Sequence, residues 1–465
     1  MAFGLFKKKN TADIIYKNGH IYTQDPVFPW AGAVACKDGK VMAVGDFEGM
    51  EEIISDDTQI IDLKEQYMFP GFMETHNTAI LNAFEGQYLA IDPVWDLNTV
   101  LEEVAEYAQS TDREIIFAYG YHEGILKDYE EASQVQALLD EIEQERPVLL
   151  LGASGVHCWF NSLTAQIIEE TMEEDGIQYI SADYILNVLS PLDFEEVERA
   201  VIEASGNLSD RGITTVFSQN TPDYFVNQYQ DCLIALIGES SPVRQRLFAG
   251  LYVNRPLAPE LVLHKLSAGR TNCIELDNLI TWDFLNLEVG GEESLSPFSQ
   301  DALQSICLGA ADRGYHIRLD ALDEEAAETA SETFAYLRGK GCKNNTFVLA
   351  AEPQIEEDDE LPFLTTWPAD YLGESVFSRA GSVSEAIDFL TVKAAKLLGV
   401  SKDLGSIEQG KWADFTVFEE NPLDKSLKYF SSMHASMTII DSQIVYDQEA
   451  ACDEEMYELL VSMRL

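Results

Sequence analysis

The feature that most constrains the fold is a repeated alternation of apolar strand patterns and amphipathic helix patterns through the middle of the chain. One example is the helix pattern EEAAETASETFAYLRG, which lies between the strand patterns YHIRLDAL and NTFVLAA. Apolar strands separated by helices predict a parallel sheet that is covered by helices. The number of such units favours an α/β fold of the (β/α)8 TIM-barrel type over a doubly wound sheet.

Both ends of the chain have a different pattern, with short apolar runs joined by turn residues. The pair Asn18-Gly19 separates two such runs, which is a strong signal for a β-hairpin. Similar runs return near the carboxyl end in ADFTVF and MTIIDSQIVYD. We therefore predict that both ends build one small β-sandwich. The predicted divisions are residues 1–69 with 401–448 (composite β-sandwich), 70–400 (barrel), 114–165 (inserted segment) and 449–465 (helical tail).

The charge balance is strongly acidic. The chain has 81 Asp and Glu residues against 30 Lys and Arg residues, which gives a net charge of −51. Such a surface repels nucleic acid and anionic membranes. The opening MAFGLFKKKN lacks the order of a signal peptide, and no apolar run has the length of a membrane span. The seven cysteines show no CxxC spacing, so we expect no disulfide framework and a cytoplasmic location.

The order of motifs resembles the amidohydrolase superfamily, and within it amidohydrolase family 3. The likeness is carried by ADIIYKNGHIYTQDPVFPWAGAVACKDGKVMAVG, by FPGFMETH, by RPVLLLGASG with WFNS, and by LGSIEQGKWADFTVFEENPL. The resemblance implies a barrel with a metal site at the carboxyl ends of its strands. It also implies hydrolysis of C–N bonds other than peptide bonds, in which a divalent ion activates water.

The positions that match the family's metal ligands and catalytic aspartate have mostly changed. The family's first strand ends in His-x-His, which here becomes His76 and Thr78. A histidine on a later strand aligns with Asp320, and the histidine of the next strand aligns with Ala350. The family's catalytic aspartate aligns with Thr366, whose hydroxyl cannot act unaided as a general base near neutral pH.

The family's bridging lysine also has no counterpart. The matching segment DNLITWDF places Asn278 or Leu279 at that position, and no lysine lies between Lys265 and Lys340. The connection over residues 350–366 is shorter than the family usually has. We therefore predict an incomplete barrel that lacks a strand and its active-site loop.

These substitutions predict a protein that has lost its metal site and acts by binding a small molecule or by assembly, with no cofactor and with a homodimer as the expected oligomer. On this view Asp320 pairs with Arg318 or with a neighbouring strand. The alternative is an active hydrolase with a rebuilt site, in which His76 and Asp320 hold one Zn, Mn or Fe ion. His122 and His157 are weaker candidates for residues that line the cavity.

Overall fold

The structure is a computed structural model. It describes residues 11–77, 88–92, 94–129, 131–153, 157–175, 182–189, 194–218, 245–253, 257–272, 279–290, 298–351, 363–366, 376–377 and 380–450. Strands and helices are numbered below in chain order. Residues 451–465, most of the predicted helical tail, lie outside the described residues. In the part that is described, no helix is both long enough and apolar enough to cross a membrane.

Strands from both ends of the chain form one eight-stranded sheet, here called the terminal sheet. Its order is β19-β18-β17-β5-β1-β2-β3, and β4 lies beside β1. The two ends meet where β5 pairs antiparallel with β17, with Phe69 opposite Thr416. Both ends therefore share a sheet, while the second, facing sheet of a sandwich stays a prediction. The strands are β1 (Ile14–Tyr22), β2 (Trp30–Lys37), β3 (Lys40–Gly45), β4 (Gln59–Asp62), β5 (Tyr67–Pro70), β17 (Phe415–Phe418), β18 (Met437–Ile440) and β19 (Gln443–Asp447).

The hairpin predicted at Asn18-Gly19 is wrong. These two residues lie inside β1, which continues through them with a register shift against β2. Asn18 has a φ of 55°, so the pair forms an irregularity in a single strand and does not reverse the chain. A Cβ atom at Gly19 would lie 2.4 Å from Cδ1 of Leu63, so a larger residue there would force Leu63 to shift.

A seven-stranded parallel sheet forms the centre of the molecule, in the order β6-β11-β12-β13-β14-β15-β16. Alternate residues of β14, such as Ile317 and Leu319, pack with helix residues in the main apolar core. The opposite face bears Arg318, whose Nη1 lies 3.5 Å from the carbonyl oxygen of Thr75 on β6. Three strands separate β14 from β6, so the sheet curls around this face as in a TIM-barrel-like α/β fold. The strands are β6 (Phe72–Asn77), β11 (Ile213–Ser218), β12 (Arg246–Val253), β13 (Ile280–Val289), β14 (His316–Ala321), β15 (Phe347–Ala351) and β16 (Leu364–Thr366).

The segment predicted as an insertion, residues 114–165, contributes three strands of a separate four-stranded sheet in the order β10-β9-β8-β7, here called the inserted sheet, and the fourth strand, β7, precedes that segment. It has its own apolar core, which includes Ile116 and Ala118 of β8 and Trp159 of β10. The strands are β7 (Leu89–Ala90), β8 (Ile116–Tyr121), β9 (Val148–Gly152) and β10 (Cys158–Phe160).

Helices cover the outer face of the central sheet and flank the inserted sheet. Among the former, the helix over 324–339 packs Phe334 on Phe347 of β15, with ring centroids 5.1 Å apart. The α-helices are α1 (Leu97–Ser110), α2 (Ala132–Asp140), α3 (Ser162–Asp175), α4 (Ala182–Leu189), α5 (Phe194–Asp210), α6 (Pro259–Asn272), α7 (Gln300–Ala311), α8 (Glu324–Gly339), α9 (Val383–Asp388), α10 (Ala394–Leu397) and α11 (Leu427–Phe430). A π-helical turn, Phe389–Lys393, joins α9 to α10, and short 3-10 turns lie at Phe47–Ile53, Glu123–Leu126 and Pro422–Asp424.

A buried arginine joins the central sheet to the terminal sheet. Arg246 begins β12, is only 3% exposed, and donates from Nε to Asp414 Oδ2 over 2.6 Å. Its Nη2 atom donates to Asp414 Oδ1 over 3.1 Å and also to Asp441. The guanidinium lies over the ring of Trp412, 4.3 Å from the centroid. One side chain therefore holds two carboxylates and an aromatic ring at the boundary between the two sheets.

Candidate functional site

Four residues lie in one row across the carboxyl ends of β13 to β16. Glu288 is in register with Asp320, Asp320 with Ala350, and Ala350 with Thr366. Three of these positions, all except Glu288, are the ones that the sequence matches to the family's ligands and catalytic aspartate. The parallel register thus brings their backbones to one level. The side chain of Thr366 lies outside the described residues, as do the side chain of His76 and the whole of Thr78.

Asp320 forms a buried ion pair with Arg318 on the same strand. Arg318 Nε donates to Asp320 Oδ1 over 2.7 Å, and the two residues are 2% and 8% exposed. The two side chains share a face because they are two positions apart in a strand. The pairing expected from the sequence is therefore confirmed. Its consequence is that the carboxylate of Asp320 already has a buried cation as its partner.

Glu288 is a site residue that the sequence analysis missed. It lies on β13 next to Asp320, and Tyr252 Oη of β12 donates a hydrogen bond to Glu288 Oε2 over 2.6 Å. Burial raises the pKa of Glu288, and the nearby charge of Asp320 adds to the effect, while the Tyr252 hydrogen bond opposes it. The signal available in the sequence was a lone carboxylate near the end of the apolar run ITWDFLNLEV.

The structure corrects the position that the sequence analysis matched to the bridging lysine, because β13 is ten residues long. Leu279 precedes this strand and so lies at its amino end, far from the row. Glu288, near the carboxyl end of the same strand, is the residue that stands beside Asp320. The alignment therefore matched the lysine to the start of β13, whereas the residue beside Asp320 lies near the end of that strand. Asn278, the other residue considered, lies outside the described residues.

The described residues of the row do not fit the metal centre that the family implies. Ala350 offers no donor atom, and Asp320 is held by a guanidinium that would repel a divalent cation at the same place. Across the described ranges, no group of three or more His, Cys, Asp or Glu side chains is arranged to hold a metal ion.

Two other histidines, His316 and His122, accept hydrogen bonds from the backbone. His316 begins β14, whereas Asp320 lies near the carboxyl end of that strand. The Nδ1 atom of His316 accepts a hydrogen bond from the backbone of Thr346 over 2.9 Å. Burial lowers the pKa of His316. His122 accepts a hydrogen bond from the backbone of Gly124 over 3.0 Å and caps a 3-10 turn. His157 is exposed and precedes β10.

Solved structures of metal-dependent hydrolases share this fold. An uncharacterized metal-dependent hydrolase from Pyrococcus horikoshii aligns over 90% of this chain and 99% of its own, with a TM-score of 0.57 and 16% identity. An adenosine deaminase from Xanthomonas campestris, solved with bound Zn, aligns over 98% of this chain and 99% of its own, with a TM-score of 0.54 and 12% identity. At such identities these likenesses establish the fold alone.

Curated relatives and the family profile agree with the fold. The exoenzymes regulatory protein AepA of Pectobacterium carotovorum is 26% identical over 36% of this chain, but the match covers only 37% of AepA. The Arabidopsis thaliana protein LONG AFTER FAR-RED 3 is 24% identical over 50% of this chain and 43% of its own length. The putative amidohydrolase YtcJ of Bacillus subtilis is 23% identical over 93% of this chain and 99% of its own. Residues 59–348 and 362–446 match the amidohydrolase family profile, and the chain belongs to that family.

Proposed function

We propose that this protein is a non-catalytic member of its family that binds a small molecule at the carboxyl ends of its barrel strands without a metal ion. The observation that carries the proposal is the buried ion pair between Arg318 and Asp320. The guanidinium of Arg318 pairs with Asp320, the residue at a position where the family resemblance implies a metal ligand. Hydrolysis in such a site requires an activated water and an acid–base partner, and Ala350 supplies neither a ligand nor a base.

The proposal also rests on the polarity of the site. The carboxyl ends of barrel strands are where ligands bind in this fold class. Here Tyr252, Glu288 and the Arg318–Asp320 pair form a compact group of polar side chains. Deeper on the same face of the central sheet, the rings of Phe217 and Phe284 pack 4.6 Å apart. Ligands are recognised by such arrangements, in which a few polar groups converge above apolar walls.

A second candidate function is C–N bond hydrolysis with one divalent ion held by His76 and Asp320. The observation that favours it is Glu288, whose carboxylate lies beside Asp320 and would add a third donor. This function requires Arg318 to release Asp320, because the ion and the guanidinium would compete for the same carboxylate.

Metal analysis of protein purified without chelators separates the two functions. We expect far less than one equivalent of Zn, Mn and Fe, and the same content in the Asp320→Asn variant, because Asp320 binds Arg318 and no metal. Elemental mass spectrometry on both proteins, with added ZnCl2 removed by gel filtration, makes the measurement. Near-stoichiometric metal that is lost in Asp320→Asn would support the hydrolase and reject the proposed function.

A further inference from the structure

One edge of β4 is open in the terminal sheet. Among the described residues, β4 joins that sheet only through its parallel pairing with β1. The backbone amides of Gln59 and Leu63 donate over 2.8 Å to carbonyl oxygens of residues 13–17. Because direction alternates along a strand, the N–H and C=O groups of Ile60 and Asp62 point away from β1. Such an edge can pair with an added strand.

A groove lies along this open edge, on the line that β17 would follow if it were longer. β17 runs antiparallel to β5 and ends with Phe418 opposite Tyr67, the first residue of β5. β4 precedes β5 on the same side of β1, so an extension of β17 would run beside β4. The groove has a volume of about 680 Å³ and is bounded on its far side by the start of β18 and the end of β19. We call it the β4 groove.

The side chains that line the β4 groove have an excess of three negative charges. Four carboxylates and one lysine line it, namely Asp62, Glu419, Asp447, Glu449 and Lys64. Lys64 Nζ lies 3.3 Å from Glu449 Oε1, but both side chains are largely exposed, so an incoming cation can replace this contact at little cost. The apolar side chains of Ile61, Met437 and Ile444 also line the groove. The lining thus suits a segment that combines basic and apolar side chains.

We propose that the β4 groove binds an extended, basic segment of another protein, which adds a strand beside β4. The outward N–H and C=O groups of Ile60 and Asp62 would pair with the backbone of that segment, whatever its sequence. The carboxylates of the groove would select lysine and arginine side chains, since a segment with acidic side chains would be repelled. The proposal is independent of the proposed function, because it concerns the terminal sheet and not the barrel.

The two end segments of this chain match the groove less well than a basic segment of a partner. Residues 451–465 have four acidic side chains against one arginine, so the groove would repel them. Residues 1–10 have three lysines, but they join β1 at the Gln59 end of β4. Glu419 and Glu449 lie towards the other end, beyond Asp62, because Glu419 follows the last residue of β17 and Glu449 contacts Lys64.

Fluorescence anisotropy tests the proposal with a labelled six-residue peptide of alternating lysine and valine. The peptide is added to the full-length protein in about 20 mM salt, where charge screening is weak. We expect a dissociation constant below about 100 μM, and at least about tenfold weaker binding of the same peptide with glutamate in place of lysine. The double variant Glu419→Lys with Glu449→Lys should bind the lysine peptide at least about fivefold more weakly than the wild type. Glu102→Lys with Glu106→Lys makes the same change of charge at exposed acids of α1 and should bind as the wild type does.

A second pair of variants tests the strand addition itself. Ile60→Pro removes an N–H group that faces the groove and keeps the bonds from β4 to β1, and proline is tolerated at such edge positions. It should weaken binding of the lysine peptide at least about fivefold. Ile60→Val keeps the N–H group and should bind as the wild type does. Circular dichroism of both variants checks that they are folded.

Hydrogen exchange locates the bound peptide on the structure. With saturating lysine peptide, the amides of Ile60 and Asp62 should exchange at least about tenfold more slowly than in the protein alone. The amide of Ile61 faces β1 by the same alternation, so its exchange should not change. Slow exchange of Ile60 and Asp62 in the protein alone would show that a segment of this chain already fills the groove, and it would overturn the proposal.

Two further results would contradict the proposal. One is equal binding of the lysine and glutamate peptides. The other is equal binding of the lysine peptide by the wild type and by Glu419→Lys with Glu449→Lys. Neither result concerns metal content or the barrel, so the proposed function would stand if this inference failed.

Discussion

Replacing Arg246 by methionine is expected to lower the free energy of unfolding by about 3–5 kcal/mol, the usual effect of removing one partner from a buried ion pair. The reason is that Asp414, which is 3% exposed, would keep its negative charge without a counter-ion. The stacking of the guanidinium on Trp412 would be lost as well. Urea denaturation followed by tryptophan fluorescence and circular dichroism measures the change.

Two control variants make this result specific to the ion pair. Arg199→Met changes an exposed arginine on α5 and should alter stability by less than about 0.5 kcal/mol. The double variant Arg246→Met with Asp414→Asn removes both charges and should be more stable than Arg246→Met alone. A loss below about 1 kcal/mol in Arg246→Met would show that this contact is far weaker than a buried ion pair.

The second large effect is expected at Asn161, which links the strands and loops of the inserted sheet. Its Nδ2 donates to the carbonyl oxygens of Glu143 and Arg146 over 3.0 and 2.9 Å. Its Oδ1 accepts from the backbone of Val148 and from both the backbone and hydroxyl of Thr164. Asn161→Ala should therefore destabilise this unit by about 3 kcal/mol, because several buried backbone groups lose their partners.

Hydrogen exchange locates that effect within the molecule. In Asn161→Ala the amides of β9 should exchange faster than in the wild type, since Val148 loses its acceptor. Asn161→Asp keeps an acceptor oxygen but loses both donors and turns a carboxylate oxygen toward two carbonyl oxygens, so its loss of stability should be at least that of alanine. Asn98→Ala, on the exposed face of α1, is the control and should change nothing measurable. Unchanged exchange in β9 of Asn161→Ala would contradict the prediction.

The parts of the fold that were predictable are those fixed by local periodicity. Apolar strands that alternate with amphipathic helices led to the parallel sheet with helices on its outer face. Period-two alternation placed Arg318 and Asp320 on one face, which is why their ion pair could be expected. Alignment to the family also brought Asp320, Ala350 and Thr366 to one row, because each lies near the end of its strand.

The errors came from features that depend on contacts between distant segments. Asn18-Gly19 has the residues of a hairpin turn, but the chain runs on in one strand that pairs with β4 before the two residues and with β5 after them. Glu288 was missed because its place in the row depends on where β13 ends, and local pattern does not fix the length of a buried strand. The Tyr252 contact is likewise set by the register between β12 and β13, which sequence spacing alone does not give.

The pairing of β5 with β17 has a consequence for biosynthesis. During translation the first five strands leave the ribosome long before residues 415–418 exist, so the edge of β5 that β17 will occupy has to wait without its partner. An open strand edge is a template for unwanted association with other chains. Contacts of such wide sequence separation also slow folding. The nascent chain is thus most exposed to aggregation while the central α/β region is being made. This exposure ends when β17 pairs with the edge of β5.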